Sequence, residues 1–142
     1  MGKTLLAKYD DPRNPTVTVQ IEHTYIPNVL VDLGATINVM TIEIVRKLGL
    51  TNLRPTPTIL ELANRSTIKP KGILDDLVIS VDSWEHPTDF LVLQPKSQLG
   101  GQALILRRSW LATADACIKY RSGSMTISYG AKIKNLTLYP LV

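Results

Sequence analysis

The chain has 142 residues, 44% of them hydrophobic and 20% charged, with a formal net charge of +4. That length fits one domain with a modest core and excludes two full lobes, and the composition excludes a disordered or fibrous chain. The 16 lysines and arginines are scattered, with no block that tracks a phosphate backbone, so no nucleic-acid partner is expected for this domain.

No apolar stretch approaches the roughly 18 residues of a spanning helix, and no apolar leader follows Met1. Cys117 is the single cysteine, which rules out an intrachain disulfide. The expectation is an intracellular, cytoplasmic protein without membrane attachment.

In chain order, Thr16 to Ile21 alternates with a period of two, and Tyr25 to Val31 gives a second strand interrupted by Pro27-Asn28. The pair is expected to form a hairpin around Glu22-His23-Thr24. After a turn at Asp32, Thr41 is placed to cap a short helix through Ile42, Val45 and Leu48, which Gly49 stops. Pro55 and Pro57 break the chain. Thr58 to Leu62 and Ile68 to Lys71 read as the arms of a polar hairpin whose tip runs from Ala63 to Thr67, with Asn64 suited to a left-handed turn.

Strand signals resume at Gly72 to Val81, Thr88 to Leu93 and Ala103 to Leu106, the first two separated by a turn over Asp82 to Pro87. Ser109 is placed to cap a second short helix toward Ala114. Cys117 to Tyr120 and Met125 to Tyr129 read as a closing hairpin, and Leu136 to Tyr139 as one more strand. Many short strands with two small helices predict a mainly antiparallel β-domain. The domain is expected over residues 16–130. Residues 1–15 read as an N-terminal extension or a strand of a dimer sheet, and 131–142 as a C-terminal strand or flanking segment.

Most polar clusters have plain readings. Asp75 and Asp76 are adjacent on a strand, so their carboxylates point to opposite faces and do not converge on one bond. His23, His86 and Cys117 are too few and too separated for a metal site; the histidines read as surface or turn residues and the cysteine as a buried thiol. Ser109 and Ser124 lack a neighbouring base. No metal or cofactor is expected.

Asp32-Leu33-Gly34-Ala35 is different, because the apolar run Val29-Leu30-Val31 delivers one carboxylate onto a tight turn of small residues. Gly34 lets the backbone turn sharply and lets substrate approach, and Ala35 keeps the wall low. A single such site in a chain this short suggests an acid catalyst that needs a second copy. Two aspartates about 3 Å apart cannot both ionise, so they share one proton.

Four segments, in this order, resemble the retropepsin-like aspartic proteases, above all those of plant gypsy-class retrotransposon polyproteins. Val29 to Met40 is similar to the catalytic loop, Leu60 to Ser66 to the flap, Asp89 to Leu93 to the strand after the flap arm, and Ile105 to Ala114 to the late strand and helix. The resemblance implies an all-β, closed barrel with a flap hairpin and one or two short helices. It implies a C2 homodimer in which Asp32 of each chain is catalytic and Leu33, Gly34, Ala35 and Thr36 complete the active-site loop. The same resemblance makes Ala63, Asn64, Arg65, Ser66 and Thr67 the flap over a peptide or polyprotein substrate, and Val39 and Ile105 apolar pocket walls.

Three positions depart from that pattern. Leu33 stands where retroviral enzymes have Thr or Ser, and Arg107 where the family has glycine. Thr36 replaces an aspartate that pairs with the helix arginine, here Arg108. Arg107 is therefore expected to turn outward or to shift the local backbone, and Arg108 to find Asp115, a chain terminus or water. The alternative function is a retropepsin-fold module without catalysis that serves dimerisation or peptide binding.

Overall fold

Alternating burial builds the first hairpin of the computed structural model, which describes residues 15–61, 65–94 and 101–140. β1 (Pro15–Ile21) buries Val17, Val19 and Ile21 and exposes Thr18. It turns at Glu22 and His23 into β2 (Thr24–Val31). The ladder shifts register between Val17 and Val19. Opposite that shift β2 carries Pro27, which has no N–H to donate, and Asn28 in the left-handed region at φ 57°.

β3 (Val39–Thr41) runs directly into α1 (Ile42–Lys47), which buries Ile42 and Val45. Thr41 holds the N-cap position as expected, but its hydroxyl makes no cap bond. Gly49, at φ 64°, follows the helix end. β4 (Leu60–Glu61) and β5 (Thr67–Ile68) form the small hairpin, pairing Leu60 with Ile68 and Glu61 with Thr67. The paired arms are shorter than expected, and Thr67 belongs to β5 instead of the tip. Leu62, Ala63 and Asn64 lie outside the described residues, as does the proposed N-terminal extension before Pro15.

β6 (Gly72–Val81) and β7 (Trp84–Leu93) make the longest hairpin. The expected turn over Asp82 to Pro87 contracts to Asp82-Ser83, both at positive φ (52° and 69°), which is the twist-matched two-residue connection of a tight hairpin. Pro87 is a strand residue opposite Val78. β8 (Leu104–Leu106) leads into α2 (Arg108–Thr113). β9 (Cys117–Lys119), β10 (Ser124–Tyr129) and β11 (Lys132–Thr137) form a three-stranded antiparallel sheet, and β12 (Tyr139–Pro140) returns to pair with β1.

The strand order β1-β2-β8-β3-β7-β6 closes on itself through pairing of β1 with β6, giving a six-stranded barrel. Most pairings are antiparallel, as expected; β2–β8 and β3–β7 are parallel. The main core fills the barrel and extends to both helices and to the outer sheet, with Val19, Ile21, Ile79, Phe90, Leu106, Trp110 and Ile127 fully buried. A second cluster of Val39, Ile68, Leu91, Leu93 and Ile105 lies under the small hairpin, with Leu60 packed against it.

Two histidine and cysteine expectations are corrected by this packing. His86, read as a turn residue, is buried in β7 with its ring edge-on to Trp110 at 6.5 Å. Cys117, read as a buried thiol, is exposed because it opens the short strand β9 at the border of its sheet.

Gly72 shows how closely the segment before the small hairpin lies on β6. Arg54 bridges to Ile73, and a Cβ at Gly72, whose φ is +155°, would stand 2.6 Å from the Arg54 carbonyl oxygen. Gly72→Ala is therefore expected to cost about 1–3 kcal/mol, the usual penalty of overpacking. Urea unfolding measures it, and an unchanged midpoint would contradict the close approach.

Candidate active site

The Asp32 loop exists because β8 lies between β2 and β3. A chain leaving β2 at Val31 must arch over the end of β8 to reach Val39, and residues 32–38 are that arch. The Asp32 N–H donates to the Leu106 carbonyl at 2.9 Å, which fixes the start of the loop on β8. At the other end Asn38, 1% exposed, donates from Nδ2 to the Asp89 carbonyl at 3.1 Å and accepts the Arg107 N–H at 2.7 Å. Asn38 thereby ties the loop to both β7 and α2. Nothing in the local sequence marks Asn38 for this role.

Helix α2 is capped by the loop itself. Its N-cap position is Arg107, two residues before the expected Ser109, and no side chain caps it. Instead the Arg108 and Ser109 N–H groups donate to the carbonyls of Ala35 (3.2 Å) and Thr36 (2.9 Å). These are among the donors that every helix start leaves without an internal partner. Arg108 adds a bond from Nε to the Ala35 carbonyl (3.3 Å) and one from Nη2 to the Thr36 hydroxyl (2.8 Å). The expected partners Asp115 and a terminus are thus replaced by Thr36, because the hydroxyl stands within reach on the same loop.

Asp32 sits at the exit of β2 with a third of its side chain exposed. Its Oδ1 accepts the Gly34 N–H at 2.8 Å, and a Cβ on Gly34 would come 3.1 Å from that same oxygen. Its Oδ2 lies 3.5 Å from Arg107 Nε. Arg107 thus turns inward to the carboxylate, not outward. Its backbone N–H is held by Asn38 Oδ1. Leu33 and Ile37 on the same loop are exposed apolar residues, at 43% and 42%.

The structure brings the loop residues 32–36 together and sets the small hairpin on the second core cluster. Val39 and Ile105, expected as pocket walls, are buried within that cluster at 0% and 3% exposure. Of the expected flap tip, Arg65 adopts a left-handed φ of 69° and Ser66 is exposed. Ile37 also borders a recess of about 250 Å3 with Thr58, Ile73, Leu91, Asp75 and Asp89.

Asp75 and Asp76 have separate partners, in keeping with their divergence on the strand. Asp76, at φ 54°, lies where the β6–β7 register shifts and donates its N–H to Asp89 Oδ1 at 2.8 Å. Asp75 forms a two-pronged ion pair with Arg54. Hydrogen bonding to that guanidinium holds the Asp75 carboxyl below its ordinary value of 3.8. A lowered folded-state value contributes stability above the unfolded value that is lost as pH falls through the folded one. The parent is expected to melt slightly above Asp75→Asn near neutral pH, and the gap to close below pH 3.8. Thermal melts across pH read this; a gap that persists at low pH would contradict it.

Among the described residues no group of histidines, cysteines and carboxylates could hold a metal ion, and no helix is long and apolar enough to cross a membrane. What the loop offers chemically is one oriented carboxylate on a turn that a small-residue backbone keeps open. A family profile described as aspartyl protease matches residues 17–110, which span the barrel from β1 through the Asp32 loop into α2. The chain belongs to the aspartyl protease family. The retroviral protease-like domain of Ddi1 from Leishmania major has the same fold, with a TM-score of 0.70 over 89% of this chain and 94% of that one, at 17% identity. No curated protein matches the chain significantly. The barrel, two short helices and Asp32 loop are accordingly those of a retropepsin-like aspartyl protease domain.

Proposed function

We propose that the protein is an aspartic endopeptidase that acts as a homodimer, with Asp32 of each chain sharing one proton across a twofold axis. The observation that carries this reading is the single oriented carboxylate of Asp32, held by Gly34 on an open turn and flanked by exposed Leu33 and Ile37. One carboxylate cannot both activate water and protonate the carbonyl oxygen, so the second must come from another copy. Leu33 replaces a hydroxyl that would add a bond between the two loops. Apolar contact between two Leu33 side chains offsets that loss.

In this reading the β4–β5 hairpin closes over an extended peptide that binds by strand-like backbone pairing. The resemblance to plant gypsy-class elements supports processing of a retroelement polyprotein, inside the cell, as the biological role. Sedimentation across concentration and pH, paired with cleavage of an unstructured polyprotein segment, tests it. A chain that stays monomeric at every concentration and does not cleave would overturn it.

A second reading is a retropepsin-fold module that binds peptide or dimerises without catalysis. It is favoured by one observation, the guanidinium of Arg107 on Asp32 Oδ2.

A further inference from the structure

We propose that Arg107 is a latch on Asp32: it holds the carboxylate in an intrachain ion pair and must swing away before two copies of Asp32 can act together. This rests on the aspartic peptidase reading above. Both oxygens of Asp32 are engaged within one chain, Oδ1 by the Gly34 N–H at 2.8 Å and Oδ2 by Arg107 Nε at 3.5 Å. A working dyad balances its charge with one shared proton. Two half-sites that each bring a guanidinium balance it without that proton, and then no acid remains to protonate the carbonyl oxygen.

The latch is loosely made. At 3.5 Å the contact to Oδ2 is one of charge, beyond hydrogen-bond length, and Arg107 Nε is buried without an acceptor. A buried donor left unpaired is under-satisfied where it stands. A route out also exists. Arg107 Nη1 already reaches the Ile37 carbonyl at 3.5 Å, and Ile37 is 42% exposed on the loop. Rotation past Ile37 carries the charge to water and leaves the Arg107 N–H on Asn38 undisturbed. The approaching Asp32 loop of the second chain is what displaces it.

The test compares the parent chain with Arg107→Gln, which removes the charge, using Arg107→Met as a second uncharged variant in case the first does not fold. Two readouts are taken at mildly acidic pH: cleavage of an unstructured polyprotein segment, and carbodiimide-driven coupling of an amine to Asp32, located by peptide mass spectrometry. Both are expected to rise in a folded uncharged variant, cleavage by about 10-fold or more, the scale on which a contact to a charged group acts. Unchanged coupling at Asp32 overturns the latch. So does cleavage no faster than that of an active parent. Coupling that rises while no chain cleaves supports the hold on Asp32 and overturns the peptidase reading beneath it, so the two failures are told apart.

Discussion

Asp32→Asn is expected to lower peptide cleavage by about 10²–10⁴-fold, the range that a positioned acid–base group contributes, while fold and self-association persist. The amide has the shape of the carboxylate, and its oxygen can still accept the Gly34 N–H that now binds Oδ1. What it loses is the ability to take a proton from water, and in a symmetric pair both members lose it together. Initial rates on an unstructured polyprotein segment, with dimerisation checked by sedimentation, give the measurement. Equal rates for parent and variant would remove Asp32 from the chemistry.

Trp110→Ala is expected to cost about 3–5 kcal/mol of stability, as truncation of a buried aromatic does. Trp110 is fully buried on the inner face of α2, beside Leu111 and edge-on to His86. Among the described residues the neighbours are held in place, the barrel strands by their ladders and α2 by its bonds to the Asp32 loop, so the space is not readily filled. For a domain of this size the melting temperature should fall by roughly 10 °C. A shift below about 1 kcal/mol in urea would mean that α2 is not seated as described. Because α2 donates to Ala35 and Thr36, cleavage should fall before the barrel melts.

The barrel was readable where burial alternates. β1, β6 and β10 largely follow a two-residue period, the later half of β7 is a continuous buried apolar run from Phe90 to Leu93, and tertiary contacts agree with local preference there. The β6–β7 turn is hard to place from sequence because Asp82-Ser83 reaches its left-handed geometry without the Asn or Gly that usually announces it, and because Pro87 reads as a break. The Asp32 turn was readable from composition, but its supports were not. Arg107 and Arg108 meet the loop through contacts about 70 residues distant, as the 69-residue separation of Arg107 from Asn38 shows, and Asn38 reaches β7 across 51 residues. No local pattern encodes such a contact. The inward turn of Arg107 is not legible in the sequence for the same reason: its direction depends on a carboxylate supplied by another element.

The position of β8 carries a consequence for how the chain is made. Its insertion between β2 and β3 joins segments far apart in sequence, and contacts of that kind form late because the intervening loop must first be closed. During synthesis the β1–β2 hairpin emerges well before residues 104–106, so Asp32 leaves the ribosome without the strand and helix that orient it. A nascent or truncated chain ending before β8 then lacks the Leu106 carbonyl and the α2 N–H groups that hold the Asp32 loop. Orientation of the Asp32 carboxylate, on this architecture, waits until nearly the whole domain has been translated and closed.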